Sequence, residues 1–189
     1  MGAHVSSIWK GEPRKFVLVI VGLAGGGKTT VFNQLRGDDA SGPPEATVGF
    51  NHDIISFGDN LDIQLWDISG ASVSIPFWRC FYADAHALLF VVDSTDPDRA
   101  ATAGGALIQI LQDPFLPGGC PLLILSNKHD LDTAMDNSGL TEAMGIEPIL
   151  KETTREWAII QCIAQEGIGL EETTTWLLDR LLGGTYGSF

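Results

Sequence analysis

The stretch Gly22-Leu-Ala-Gly-Gly-Gly-Lys-Thr29 decides the fold, because it satisfies the pattern G-x-x-x-x-G-K-[ST]. An apolar run at residues 16–21 precedes it, and a stretch of helical character at residues 28–36 follows it. Glycines let successive backbone N–H groups turn inward around a phosphate, and the N-terminus of a helix adds a favourable dipole. We therefore predict a phosphate-binding loop between a strand and a helix.

Apolar runs and helical stretches alternate along the rest of the chain. Continuous apolar runs indicate strands that are covered on both faces, and their alternation with helices is typical of a parallel α/β sheet. A pair of segments, 51–57 and 61–66, flanks a turn and predicts an antiparallel hairpin at the sheet edge. We expect one α/β domain with about six strands, helices on both faces, further strands at 88–92, 122–125 and 157–162, and further helices at 97–111, 140–150 and 170–182.

Composition narrows the possible functions. The chain has 189 residues, which is enough for one compact domain, and its 44% hydrophobic content argues against disorder. Its 11 Lys and Arg against 24 Asp and Glu give a net charge of −13, which disfavours binding to nucleic acid. Three widely spaced cysteines indicate neither a disulfide framework nor a zinc site, and no apolar run approaches the ~20 residues of a membrane span. We expect a cytoplasmic protein.

A second motif, Asn127-Lys-His-Asp130, follows the predicted strand at 122–125. A carboxylate at Asp130 can accept hydrogen bonds from both the N1–H and the exocyclic amine of guanine, whereas adenine offers a mismatched edge. Asn127 can hold the loop and the base, and the stem of Lys128 can lie against the ring. Downstream of a phosphate loop, this motif predicts selection of guanine.

Two further segments carry candidate metal and phosphate contacts. Asp67 ends the predicted hairpin, where it can bind Mg²⁺ through water, and Gly70 can turn its N–H onto a γ-phosphate. Thr29 can ligate the same metal through its hydroxyl, and Thr47 can complete the metal shell when a triphosphate is present. These segments predict a site that distinguishes a triphosphate from a diphosphate.

As a set, these motifs resemble the Ras-like small GTPases, and most closely the ADP-ribosylation factor (Arf) and Arf-like family. Thr47-Val-Gly-Phe-Asn51 resembles the first switch of that family, Trp66-Asp67 resembles the start of the second, and Trp78-Arg-Cys-Phe-Tyr82 resembles its W-R-x-Y-[YF] motif. The loop Cys162-Ile163-Ala164 is similar to the base-binding loop, in which the Ala164 N–H would meet the guanine oxygen. The resemblance covers residues 14 to 182.

The resemblance implies a Ras-like P-loop fold, GTP or GDP as ligand, and Mg²⁺ held by Thr29, Thr47 and Asp67. It also implies that the hairpin slides when GTP replaces GDP and that an aromatic surface then binds an effector. The catalytic positions would be Lys28, Thr47 and Gly70, and the effector surface Phe50, Trp66 and Phe81. The nucleotide-binding residues would be Ala24, Gly25, Gly26, Gly27, Lys28, Thr29, Thr30, Thr47, Gly70, Asn127, Lys128, Asp130, Cys162, Ile163 and Ala164.

The sequence departs from the family at the second switch. Ala71 stands where the family has the glutamine that orients the attacking water, so intrinsic hydrolysis of GTP should be very slow. Ala24 stands where the family usually has Asp or Asn, and Ser69 replaces a glycine. Two interpretations stay open: a slow switch that a partner completes, and a GTP-bound scaffold that does not hydrolyse. A third, an ATP-using nucleotide kinase, is disfavoured by Asp130 and by the lack of an arginine-rich lid.

The N-terminus predicts a membrane contact. Met1-Gly-Ala-His-Val-Ser6 matches M-G-x-x-x-[ST], so Gly2 is a candidate for myristoylation, and the apolar residues that follow share one helical face. We divide the chain into an amphipathic segment at 1–15, a GTPase domain at 16–182 and a tail at 183–189. We expect a monomer on the Golgi, another endomembrane or the cilium that serves membrane traffic with an exchange factor and effectors.

Overall fold

The computed structural model describes residues 13–38, 46–58 and 60–183. The predicted lipidation site Gly2 lies outside these residues, as do most of segment 1–15 and all but the first residue of the tail. Among the described residues, no helix combines the length and the apolar character needed to cross a bilayer.

The elements are β1 (Arg14–Val21), α1 (Lys28–Arg36), β2 (Phe50–Ser56), β3 (Leu61–Ile68), a 3-10 helix (Ser72–Phe77), α2 (Arg79–Tyr82), β4 (Ala87–Asp93), α3 (Pro97–Gln112), β5 (Leu122–Asn127), α4 (Asn137–Met144), α5 (Glu147–Glu152), β6 (Trp157–Gln161) and α6 (Leu170–Leu181).

The six strands form one sheet in the order β2-β3-β1-β4-β5-β6. Only β2 runs antiparallel to its neighbour β3, and the other pairs are parallel. The prediction of a mostly parallel sheet with one antiparallel edge strand is therefore confirmed. Because the parallel strands end at the same edge, that edge collects the loops that follow β1, β3, β4 and β5.

Alternate residues of the central strands enter two separate cores. Val19 and Val21 of β1 pack on the face that carries α3 and α4, whereas Leu18 and Ile20 pack on the face that carries α1 and α6. All four side chains are buried. This two-sided burial explains why β1 is a continuous apolar run rather than an alternating one.

The predicted helix at 140–150 is wrong, because the structure has two helices there. Gly145 caps α4 with a φ of +64°, a conformation that ends the helix and that an L side chain rarely adopts. Pro148 lies in the first turn of α5, where a missing N–H costs nothing. The 3-10 helix Ser72–Phe77 has no counterpart in the sequence-based prediction.

Close packing of α3 against α4 accounts for a glycine in the middle of α3. A Cβ on Gly104 would stand 1.8 Å from the Met144 carbonyl oxygen, whereas a Cβ on the neighbouring Gly105 would meet nothing within 4 Å. Gly104 therefore allows the two helices to touch backbone to backbone.

These two glycines make a matched pair of tests. We expect Gly104→Ala to lower the free energy of unfolding by about 2–3 kcal/mol through overpacking, and Gly105→Ala to raise it by up to about 1 kcal/mol through helix propensity. Urea denaturation of both variants at one saturating nucleotide concentration measures the difference. Equal effects at the two positions would contradict the close approach of α3 and α4.

Candidate functional site

Two glycines of the phosphate loop stand where no side chain fits. Gly22 has a φ of +140°, and a Cβ there would lie 2.1 Å from the Val91 carbonyl oxygen. Gly27, at the start of α1, has a φ of +98°, and its Cβ would lie 2.1 Å from Asn127 Nδ2. The loop therefore presses against β4 on one side and against the end of β5 on the other.

Lys28 brings a buried cation to this loop. Its side chain is only 6% exposed, and its Nζ donates to the Leu23 carbonyl oxygen at 3.1 Å. Burial lowers the pKa of Lys28, the charge of Asp67 opposes that shift, and the charge of Arg99 adds to it. A bound phosphate would give this ammonium an anionic partner within ion-pair distance, which no described carboxylate provides.

The three predicted metal ligands meet at the same place. Thr29 Oγ1 and Thr47 Oγ1 are hydrogen-bonded at 2.8 Å, and Thr29 Oγ1 donates to Asp67 Oδ2 at 2.8 Å. Thr47 Oγ1 also approaches Asp67 Oδ2, at 3.3 Å. Asn51 donates to the same carboxylate oxygen at 2.9 Å and so fixes its orientation. Burial raises the pKa of Asp67, although hydrogen bonds from Thr29 and Asn51 oppose the shift.

This cluster of oxygens fits Mg²⁺. The second carboxylate oxygen of Asp67 is buried and has no hydrogen-bond partner among the described residues. Hydroxyl and carboxylate oxygens are ligands of Mg²⁺, and bonds of about 2.0–2.1 Å in an octahedron place neighbouring ligand oxygens about 2.9 Å apart. The described part of the chain contains no group of three His, Cys, Asp or Glu that could hold a metal. Phosphate and water oxygens would therefore complete the metal shell.

The second switch packs directly on the phosphate loop. The Ala24 N–H donates to the Gly70 carbonyl oxygen at 2.9 Å, and a Cβ on Gly70 would lie 2.4 Å from the Gly22 carbonyl oxygen. Ala71 follows, half-buried, with its N–H 3.4 Å from the Ser69 hydroxyl that accepts from it. Both switches border a pocket of about 240 Å³, which is lined by Ala24, Gly25, Gly27, Lys28, Thr29, Ala46, Thr47, Ser69, Gly70 and Ala71.

Asn127 connects the phosphate loop to the loop after β6. Its amide nitrogen donates to the Gly26 carbonyl oxygen at 2.8 Å, and its amide oxygen accepts the Ala164 N–H at 3.0 Å. The Cys162 thiol also lies on that oxygen, at 3.4 Å. The Ala164 N–H, which the resemblance assigns to the guanine oxygen, is thus directed at Asn127 in this structure.

A larger pocket of about 420 Å³ lies beside Asn127, within the size range of small-molecule sites. Lys128 stands at its wall with a φ of +67°, and among the described residues it is the only one other than glycine with a positive φ. Its ammonium is held by Asp93. Burial alone would raise the pKa of Asp93, but hydrogen bonds from Lys128 and Thr95 lower it instead. The pocket is lined by Gly25, Gly27, Thr30, Asn127, Lys128, Asp130, Leu131, Ile163, Ala164 and Gln165.

Cys162 is not a nucleophile. It is buried, and burial raises the pKa of its thiol to about 12. The thiolate that nucleophilic chemistry requires is therefore absent at neutral pH.

The three predicted effector residues form one aromatic cluster. The ring centroids of Phe50 and Trp66 are 5.3 Å apart, those of Phe50 and Phe81 are 5.3 Å apart, and those of Trp66 and Phe81 are 5.7 Å apart. His52 joins them, with its ring 4.1 Å from Trp66. Phe50 is half exposed, so the cluster reaches the surface.

The short helix that carries Phe81 is anchored to the end of α3. Tyr82 Oη and Arg79 Nε donate to Asp113 Oδ2 at 2.6 and 2.7 Å. Burial and the neighbouring Asp113 raise the pKa of Tyr82 to about 12, so the phenol stays a donor at neutral pH. This anchor holds one corner of the aromatic cluster in place.

Three contributors to the site escaped the sequence-based prediction. Asn51 orients Asp67, Asp93 holds Lys128, and Arg99 reaches from α3 to the Ala24 carbonyl oxygen. Asn51 stands within a motif quoted for the resemblance, but no spacing rule links Asn51 or Asp93 to its partner. Arg99 carries no sequence signal at all.

Comparison with known proteins agrees with this geometry. The sequence profile of the ADP-ribosylation factor family matches residues 3–181. ADP-ribosylation factor 3 of Arabidopsis thaliana is 36% identical over 169 residues, which cover 89% of each chain. ADP-ribosylation factor-like protein 1 of Saccharomyces cerevisiae is 38% identical over 173 residues, which cover 91% of this chain and 90% of the yeast protein.

Comparison with a solved structure also indicates a small GTPase fold. The Arl6 BBS3 small GTPase from Trypanosoma brucei, with bound nucleotide analogue GppNp, aligns with a TM-score of 0.80 and 28% sequence identity over 91% of this chain and 100% of its own. The family resemblance of the motifs is thereby confirmed. On sequence and fold together, the chain belongs to the ADP-ribosylation factor family of small GTPases.

Proposed function

We propose that the chain is a guanine-nucleotide switch that binds GTP and GDP with Mg²⁺ and hydrolyses GTP very slowly. The observation that carries this proposal is the meeting of both switches at the phosphate loop: Thr47 lies on Thr29 and Asp67, while Gly70 packs on Ala24. Contact of both switches with one loop is the arrangement by which a γ-phosphate can order them. Membership of the family supports guanine-nucleotide binding and GTPase activity in general.

Each part of the site has a role in this proposal. Lys28 binds the terminal phosphates, and the Gly70 N–H orients the γ-phosphate. Thr29 and Thr47 would ligate Mg²⁺ and Asp67 would hold it through water, and the bound metal would neutralise charge on the phosphate oxygens. Asn127 fixes the base loop, and Asp130 accepts the two donors of the guanine edge.

Slow hydrolysis follows from Ala71. Its methyl group borders the phosphate pocket and offers no hydrogen bond to an attacking water. Ser69 lines the same pocket and carries a hydroxyl, but it accepts the Ala71 N–H and is buried. The phosphates remain bound and neutralised while the nucleophile stays unoriented, so the reaction slows without being abolished.

The GTP-bound form presents an apolar surface to an effector. Phe50, Trp66 and Phe81 form its aromatic centre, and Val48 and Val73 beside the switches are 97% and 77% exposed. Apolar patches of this kind mark sites for protein partners. We place this recruitment in membrane traffic, with Gly2 as the lipidated anchor and an exchange factor to reload GTP.

A GTP-bound scaffold that does not turn over is the second candidate. The same observation at Ala71 favours it, together with the segment Ser72–Phe77, which carries no charged residue. A partner that completes a catalytic site commonly does so through charged contacts, which this segment does not provide.

Nucleotide content tests the proposal directly. Chromatography of nucleotide released from freshly purified protein should find GTP or GDP, and a fluorescent GDP analogue should be displaced by GTP and GDP but not by ATP. Displacement by ATP would contradict the guanine assignment and favour the kinase interpretation. Protein that retains only GTP for many hours would favour the scaffold.

The metal cluster gives a separate prediction. Thr29→Asn replaces a hydroxyl that already contacts both Thr47 and Asp67, so we expect affinity for Mg²⁺-GTP to fall at least about tenfold more than affinity for GDP. Thr30→Ser, one residue along α1, keeps its hydroxyl and is the matched control, so it should not change the ratio of the two affinities. Equal losses for GTP and GDP in a fluorescence titration would remove Thr29 from the metal shell.

A further inference from the structure

Arg99 stands at the start of α3 with its guanidinium on the phosphate loop. One terminal nitrogen donates to the Ala24 carbonyl oxygen. The two terminal nitrogens also lie 3.5 and 3.8 Å from the position that a Cβ on Gly25 would occupy. An otherwise exposed arginine is thereby fixed against the outer wall of the loop that holds the phosphates.

The Arg99 charge is not compensated. In the described part of the chain, no carboxylate lies within ion-pair distance of its guanidinium. The nearby acidic side chains have other tasks: Asp96 caps α3 through the Arg99 backbone N–H at 3.1 Å, and Asp93 holds Lys128. Arg99 also repels the Lys28 ammonium inside the loop, so its field reaches the phosphate site.

Ala24 keeps this charge free. The family usually has Asp or Asn at this position, and an Asp side chain would start from the residue whose carbonyl group Arg99 already binds. A carboxylate there would bring a negative charge to the residue that the guanidinium contacts and would reduce the positive field at the loop. The alanine leaves a net positive charge at the loop in a protein whose overall charge is −13.

We propose that Arg99 is a positioning residue for the bound nucleotide: it holds the Ala24–Gly25 backbone in place, and its free positive charge slows the release of the phosphates. This inference rests on the proposed guanine-nucleotide binding and deepens it. A phosphate group bound at the loop relieves the repulsion between Arg99 and Lys28, so both cations contribute to its retention. Slow release complements slow hydrolysis, because each prolongs the life of a loaded state.

The test measures release of a fluorescent GDP analogue and of a fluorescent GTP analogue from the full chain. Arg99→Gln keeps hydrogen-bond donors but removes the charge, and we expect both release rates to rise about tenfold. Arg99→Lys keeps the charge and should stay within about threefold of the original rate. Arg14→Gln changes the net charge equally at the far end of β1, so it should leave the rates unchanged.

A second pair of variants tests the same charge without touching Arg99. Ala24→Asp should raise both release rates, because its carboxylate adds a negative charge at the residue that the guanidinium contacts and so offsets the positive charge of Arg99. Ala24→Asn has nearly the same shape without the charge, so the difference in release rate between Ala24→Asp and Ala24→Asn isolates the effect of the carboxylate charge. The ³¹P resonance of the bound β-phosphate should move further in Arg99→Gln than in Arg99→Lys, and further in Ala24→Asp than in Ala24→Asn.

Three results would overturn the inference. They are an unchanged release rate in Arg99→Gln, a release rate in Arg99→Lys that rises as much as in Arg99→Gln, and equal release rates in Ala24→Asp and Ala24→Asn. If Arg99→Gln does not fold, Arg99→Lys and the two Ala24 variants still decide. If the unsubstituted protein binds no guanine nucleotide, the proposed function itself is refuted. A chain that binds it with Arg99→Gln unaffected would refute only the role of Arg99.

Discussion

Replacing Asn127 with alanine should accelerate release of bound GDP by about 10²–10³-fold. The variant loses two buried hydrogen bonds to backbone groups at once, to the Gly26 carbonyl oxygen at 2.8 Å and from the Ala164 N–H at 3.0 Å, together with the Cys162 thiol contact. Each buried group that loses its partner costs about 1–3 kcal/mol, and both lie in loops that contact the nucleotide. The lost hydrogen bonds therefore weaken nucleotide binding more than they lower the free energy of unfolding.

The neighbouring Ser126 is a matched control for Asn127. Its side chain is fully buried in the same strand, yet its hydroxyl has no hydrogen-bond partner among the described residues. Ser126→Ala should therefore leave release unchanged. Stopped-flow fluorescence with a labelled GDP measures both variants. Similar release from the two would show that the tether between the loops is dispensable, contrary to our account of the site.

Restoring a glutamine should produce the second large effect. We expect Ala71→Gln to raise the rate of intrinsic GTP hydrolysis by roughly 10- to 100-fold, because the rest of the phosphate site is in place and only the water lacks a partner. The position borders the phosphate pocket, and its backbone is extended, with a φ of −62° and a ψ of 142°. A glutamine can adopt this conformation without strain.

Single-turnover hydrolysis of preloaded GTP measures this effect. Ala71→Leu adds bulk without a hydrogen bond and should remain as slow as the original chain. Fast GTP hydrolysis by the unsubstituted protein would mean that another group orients the water, and our explanation of Ala71 would then be wrong. A glutamine variant that is no faster would place the cause of slow turnover elsewhere in the second switch.

The sequence predicted the parts of this molecule that depend on local pattern. Strand β1 and helix α1 follow from a two-sided apolar run that leads into a glycine-rich loop, and α1 spans residues 28–36 as expected. The antiparallel edge hairpin follows from alternation around a short turn. Residues that a linear motif already groups, such as Asn127, could be assigned to a site before any geometry was known.

What the sequence could not predict depends on tertiary contact. Arg99 reaches a carbonyl group 75 positions away, and Asp113 binds Tyr82 across 31 positions, with no spacing rule to connect them. The break at Gly145 was missed because the apolar pattern continues through it into α5. Helix propensity alone disfavours Gly104 within α3, whereas the structure shows that Gly104 allows close contact with Met144.

The aromatic cluster has an optical consequence. Trp66 stands opposite His52 in the β2–β3 register, so the two side chains keep their relative position in any movement of the hairpin as a unit. Phe81 belongs to α2, which Asp113 anchors to another part of the fold. Any sliding of the hairpin therefore changes the surroundings of one indole on one side only. If the hairpin slides as the family resemblance implies, Trp66 lies where the hairpin meets the anchored helix, and we expect its emission, resolved from the other four tryptophans by comparison with Trp66→Phe, to change with the bound nucleotide.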